Sequence, residues 1–307
     1  MFKQPLLFIS LLCLALNATA QTAKLHRYKD IVFTDITIDK DLSYAAPDSP
    51  VLKKSRLFDL YQPKDDHSTA PRPLIIWMHG GGFKFGTKEA KGIQLWSKTF
   101  AQRGYVCAAI NYRLSKKNPL FHFDVLKQSC YYAVLDAKMA VAYFKRHHVE
   151  YNIDPDKIIL AGNSAGGMIA LQAAYSTNKE LAKFAGITDA DSRHQDLLKV
   201  AGIINFWGAI FDLNWLKNAS VPIVSALGSK DSLVPPTHKS APLYGSVDIQ
   251  SEANKLGIPN EIKIFDGYSH ELQKHFNPMF PVGKGTQQRW LEAGQFAADF
   301  LYSTLFK

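Results

Sequence analysis

Ser164 is where a chemical reading of this sequence starts. It lies in Gly162-Asn163-Ser164-Ala165-Gly166-Gly167, a G-x-S-x-G pattern. The apolar run Ile158-Ile159-Leu160 precedes it, and a small-residue stretch of helical character, 165–175, follows. A tight strand-to-helix turn would lift the hydroxyl above a sheet edge, at the start of a helix whose dipole favours developing negative charge. Such a turn brings backbone segments too close together for a β-carbon, which accounts for glycine on both sides. The chemistry that fits is acyl transfer through an activated serine.

Acyl transfer builds an oxyanion, and His79-Gly80-Gly81-Gly82-Phe83 offers a place for it. Consecutive glycines let the backbone turn its N–H groups into a site, and losing one such donor typically costs about 100- to 1,000-fold in rate. The expected donors are the amides of Gly81, Gly82 and Ala165. A phosphate-binding loop would need Gly-Lys-Ser/Thr, whereas Gly82 is followed by Phe83-Lys84-Phe85. His79 is expected to brace this loop rather than act as a base.

A serine nucleophile needs a base, and the base needs an acid to orient it. In Pro222–Pro235 an apolar run ends in a glycine-containing loop that carries Asp231. In Glu261–His270 another such run ends in a loop that carries His270. Asp212 is the rival acid and His275 the rival base. In chain order the candidates run serine, acid, histidine.

The elements that must hold these loops follow from apolar patterning. Leu74–Met78 is a short apolar run without alternation, as expected of a strand buried on both faces. Strands are also expected at 27–37, 56–61, 106–112, 157–160, 200–206, 223–227 and 261–265. Helices are expected at 89–103, 125–146, 165–175, 252–255 and 287–306, with a polar turn around 47–50. Repeated strand–helix units predict a mostly parallel sheet of about eight strands covered by helices. No repeat or linker divides residues 21–307, which are expected to form one domain.

Composition narrows the partners. Hydrophobic residues make up 47% of the chain, enough to fill a sizeable core. The formal charge of +9 is spread along the chain with no run of Lys or Arg longer than two, so no nucleic-acid partner is expected. Lys3, the apolar run Leu6–Leu16 and Ala18-Thr19-Ala20 read as a signal peptide cleaved before Gln21, and hence as export to the periplasm or medium. The run is shorter than the roughly 20 residues of a membrane span, so no stable insertion is expected. Cys107 and Cys130 remain after cleavage and are expected to be separate core thiols, although an exported pair can oxidise. No metal-ligand spacing is present, and neither a metal nor another cofactor is expected.

His79-Gly80-Gly81-Gly82 together with Gly162-Asn163-Ser164-Ala165-Gly166-Gly167 resembles the carboxylesterases related to hormone-sensitive lipase and the bacterial feruloyl and acetyl esterases beside them. Asn111-Tyr112-Arg113-Leu114 resembles the segment after that family's fourth strand, and the likeness runs from about residue 50 to the end. It implies an α/β-hydrolase fold, an ester substrate, and Asp231 as the acid after the seventh strand. Most relatives with this serine motif have Asp or His where this chain has Asn163.

Relatives with a lid carry an insertion between the strand ending near Phe206 and the one starting near Pro222. Here only Trp207–Val221 lies between them, which predicts little or no cap. An open site with an aromatic rim is expected, with Phe83, Trp207 and Trp215 as substrate contacts. The partner expected is a small-molecule or polysaccharide-linked ester, and export and openness favour a polymeric or bulky one, such as acetylated or feruloylated plant polysaccharide. The alternatives are an amide, peptide or aryl-formamide hydrolase of the same fold, or a non-catalytic binding module.

Overall fold

A computed structural model describes residues 25–45, 53–188, 197–238, 243–278 and 281–307. The signal-peptide reading of 1–20 and the turn at 47–50 lie outside these residues. Eight strands make one sheet: β1 (Ile36–Ser43), β2 (Leu57–Pro63), β3 (Arg72–Met78), β4 (Val106–Ile110), β5 (Ile153–Asn163), β6 (Gly202–Phe206), β7 (Ile223–Gly228) and β8 (Asn260–Phe265). Their order is β1-β2-β4-β3-β5-β6-β7-β8. β1 and β2 pair antiparallel, as do β2 and β4, and every other pairing is parallel.

The parallel register puts the ends of β3, β5, β6 and β7 on one edge, with Met78 opposite Gly162 and Asn163 opposite Phe206. Loops leaving that edge are therefore neighbours in space, however far apart in sequence.

Among the described residues the α-helices are α1 (Lys91–Ala101), α2 (Phe123–Arg146), α3 (Ala165–Tyr175), α4 (Asn178–Ala185), α5 (Ser246–Lys255) and α6 (Lys284–Leu305). Alternation along β3 divides the core. Leu74, Ile76 and Met78 pack in a cluster with residues of α2, α3, α4 and α5. Ile75 and Trp77 pack in the other, with residues of α1 and α6. In that second layer Trp77 stacks on Trp96 at 5.5 Å, and the Trp96 indole N–H donates to the Trp290 carbonyl. Cys107 belongs to the α1/α6 layer and Cys130 to the α2/α3 layer. With the sheet between them, both are buried free thiols, and burial pushes both well above the ordinary thiol range.

Two expectations are corrected. Residues 27–35 are not a strand. Tyr28, Val32 and Phe33 donate backbone N–H groups to the carbonyls of Arg103 and Gln102 at the end of α1, and Tyr28 stacks on Phe306. The apolar side chains there serve packing, while the actual edge strand, β1, is mostly exposed and carries little apolar signal. Helix α4 goes unpredicted from composition, although its capping box is present: Thr177 accepts from the Glu180 N–H, and Glu180 accepts from the Thr177 N–H.

Candidate active site

Ser164 is the entire connection between β5 and α3. Its φ of 53° and ψ of −118° are a costly backbone conformation for a residue with a side chain, of order 1–3 kcal/mol. The conformation is held by the Ser164 N–H, which donates to the Phe206 carbonyl at 2.8 Å. The flanking glycines are required by contact. A β-carbon on Gly162 would lie 2.4 Å from the Gly166 carbonyl carbon, and one on Gly166 would lie 2.0 Å from the Met78 carbonyl oxygen.

His270 reaches Ser164 from the loop after β8. Its Nε2 is 2.9 Å from Ser164 Oγ, and its Nδ1 is 2.7 Å from Asp231 Oδ2. The second Asp231 oxygen accepts the N–H groups of Leu233 and Val234 at 3.0 and 2.9 Å. All three side chains are buried. An Asp231 carboxylate facing Nδ1 favours the tautomer with the proton there, which leaves Nε2 to accept the Ser164 hydroxyl. The acid and base loops are also tied together. The Lys230 N–H donates to the Tyr268 carbonyl, and Ser229 Oγ donates to Asp266 while accepting the Gly267 N–H. Asp212 caps the short 3-10 turn Leu213–Asn218 through the Asn214 N–H, and His275 is exposed.

The glycine loop after β3 lies directly against the serine: a β-carbon on Gly80 would be 3.3 Å from Ser164 Cβ. Gly81, Gly82 and Phe83 all have positive φ, and the Gly81 carbonyl accepts from the Lys84 and Phe85 N–H groups. Among the described residues, the amides of Gly81, Gly82 and Ala165 donate to no protein acceptor. His79 is buried, and burial pushes its imidazole down to about 4, so it is neutral at pH 7. It stacks on Tyr112 at 4.3 Å and its Nδ1 lies 2.7 Å from the Gly80 carbonyl.

Two residues that motif matching does not single out complete the picture. Asn163 Oδ1 accepts the Gly80 N–H at 3.1 Å, tying the residue before the serine to the glycine loop. The amide at a position where most relatives have Asp or His was the available signal. Phe276 sets its ring edge-to-face on His270 at 5.0 Å. Nothing in its sequence surroundings marks it.

The expected aromatic contacts are corrected. Phe83 is fully buried, in the α2/α3 layer beside Tyr112. Trp207, in a left-handed backbone conformation with φ 41°, is carried into the α1/α6 layer, where it stacks on Phe206. Trp215 is buried against Phe184. These rings fill the core rather than form a rim. Among the exposed apolar side chains are Phe85, Leu114, Leu120, Phe121 and Leu233. Leu120 lies over Gly82, close enough that a β-carbon there would be 2.6 Å from its Cδ2. A cavity of about 1040 Å³ opens behind the glycine loop, lined by His79, Gly86, Lys88, Tyr112 and Arg113 among others. Ser164, Asp231 and His270 do not line it.

The sheet order, with its antiparallel first pairings and the serine in the turn after β5, is that of an α/β-hydrolase. The chain belongs to the BD-FAE family, whose model matches residues 58–231. It is 29% identical over 196 residues to a protein of Mycobacterium tuberculosis named as probable carboxylic ester hydrolase LipM, a match covering 64% of this chain and 40% of LipM. It is 32% identical over 124 residues to rabbit (Oryctolagus cuniculus) arylacetamide deacetylase, covering 39% of this chain and 28% of that protein. The matched stretch is thus less than half of either relative. Among solved structures, esterase 2 of Thermogutta terrifontis, phosphorylated by paraoxon, superposes with a TM-score of 0.61 at 20% identity, covering 87% of this chain and 94% of that one. A truncated carbohydrate esterase from gut microbiota superposes at 0.52 and 18% identity, covering 86% and 98%. At these identities the likeness is one of fold.

Proposed function

We propose that this chain hydrolyses carboxylic esters through an acyl-enzyme on Ser164. The observation that carries the reading is the unbroken line Asp231–His270–Ser164, with both links at hydrogen-bond length. His270 Nε2 takes the Ser164 proton as Oγ bonds to the ester carbonyl carbon. The carbonyl electrons move onto oxygen, which the free amides of Gly81, Gly82 and Ala165 receive. The oxyanion then collapses, the carbon–alkoxy bond breaks, and His270 returns the proton to the leaving alcohol. Water repeats the cycle from the same side and frees Ser164 and the acid.

We further propose that the esters include acetyl or feruloyl groups on plant polysaccharide, met outside the cytoplasm. The signal-peptide pattern at residues 1–20 supports export. The short segment between β6 and β7 supports open access. The likeness to an arylacetamide deacetylase makes an aryl amide the competing substrate in the same assay.

The test is turnover on a panel of acetyl, butyryl and feruloyl esters, with and without sugar, alongside an aryl acetamide. Labelling by a fluorophosphonate accompanies it. The expected result is ester turnover and an adduct on Ser164, both abolished in Ser164→Ala, with turnover falling at least about 10⁴-fold. A folded protein that takes no adduct would instead be a binding module. Activity on acetylated xylan no better than on a short ester would remove the polysaccharide reading and leave the esterase standing.

A further inference from the structure

The direction in which the alcohol leaves is set by His270. For Nε2 to hand its proton to the leaving oxygen, that oxygen must come within about 3 Å of it. Whatever the oxygen is attached to must therefore extend past the outer surroundings of His270. Phe276 belongs to those surroundings, half-buried, its ring edge-to-face with the imidazole and the centroids 5.0 Å apart. Leu233 is on the acid's side of the pair, 46% exposed, its N–H bonded to Asp231. The carbonyl oxygen would instead face the proposed oxyanion donors of the glycine loop, where Leu120 lies over Gly82.

Resting on the ester-hydrolase reading, we infer that Phe276 is a specificity residue for the alcohol half of the substrate, a flat apolar platform for a ring-bearing alcohol such as a sugar or an aryl carbinol. The apolar face of a sugar ring and the face of an aryl ring both suit contact with an aromatic side chain. The sequence-level candidates for this role, Trp207 and Trp215, are buried in the core. Among the described residues, Phe276 is the aromatic ring set in contact with the base. It touches no reacting atom and acts by holding the alcohol.

The experiment holds the acyl group constant and varies the alcohol. kcat/KM is measured on methyl acetate, benzyl acetate and a monoacetylated methyl xyloside, with methyl butyrate as the acyl control, for wild type, Phe276→Ala and Phe276→Leu. In both variants the benzyl-to-methyl and xyloside-to-methyl ratios should fall about three- to tenfold, the range an aromatic contact supplies. Phe276→Leu keeps bulk against His270 but removes the flat face, so a fall there separates recognition from support of the base. The methyl butyrate to methyl acetate ratio should change less than twofold, because the acyl group points elsewhere. An equal loss on all alcohols, or unchanged ratios, overturns the inference and leaves the esterase reading intact. Absence of turnover by wild type on every ester overturns both.

Discussion

Replacing Asn163 with alanine probes how the glycine loop is held in place. Its Oδ1 is the acceptor of the Gly80 N–H, and both residues are buried. The alanine variant leaves a buried donor unpaired, at a cost of about 1–3 kcal/mol. The next two amides, of Gly81 and Gly82, are the proposed oxyanion donors. Complete loss of one such donor costs about 2.7–4 kcal/mol in the transition state. A loop that is loosened but still present should lose part of that, so kcat is expected to fall about 10- to 100-fold, with KM changed less than threefold. The melting temperature should drop by several degrees, since about 2–4 °C accompanies each kcal/mol in a domain of this size class. Asn163→Asp keeps an acceptor at the same reach and should recover most of kcat. Steady-state kinetics on a short acetyl ester, with thermal melts of all three proteins, makes the measurement. A variant that melts earlier but keeps wild-type kcat would refute the reasoning, because Asn163 would then be only a structural tie.

Gly166→Ala should give little folded protein, since its β-carbon would sit 2.0 Å from the Met78 carbonyl oxygen in a strand with no room to retreat. Soluble protein with a wild-type melting curve would contradict that packing. Lys138 is buried on α2, donating to the Ser176 carbonyl and to Asn178 Oδ1, and burial pushes its amine from 10.5 down to about 8. Between those values the unfolded chain binds a proton that the folded chain releases, so this group adds stability as pH rises. The contribution is complete above pH 10.5, is lost as pH falls to 8, and has an upper bound of about 3 kcal/mol. Melts from pH 7.5 to 10.5 should show Lys138→Met losing ground to wild type as pH rises; a constant difference would rule out the burial effect.

The parts of the site that were legible are those where backbone geometry leaves only one residue type. Gly162, Gly166 and Gly81 are glycine because carbonyl groups lie where a β-carbon would be. Strands such as β3, buried on both faces, show as apolar runs. What was not legible depends on contacts made across the fold. Nothing in the sequence separates Trp207, which a left-handed backbone carries into the core, from a rim residue. Phe276 acquires its place only because the β8 loop crosses the β7 loop. Residues 27–35 look strand-like because apolar side chains pack loops as readily as strands, while β1 at the exposed edge has little apolar content to report.

The division of the core into two layers has a consequence for the order in which the chain can assemble. The layer holding α2, α3 and α4 has most of its cover by residue 185, soon after Ser164 has been made. The other layer is shared by α1 and α6, elements nearly two hundred residues apart that meet through the Trp96–Trp290 bond. Until the last helix arrives, Trp77, Trp96 and Phe206 lack the part of their cover that α6 supplies. A newly made chain would therefore present this apolar face to solvent before α6 seals it. That interval is where binding by a holding chaperone, or clumping in its absence, should concentrate.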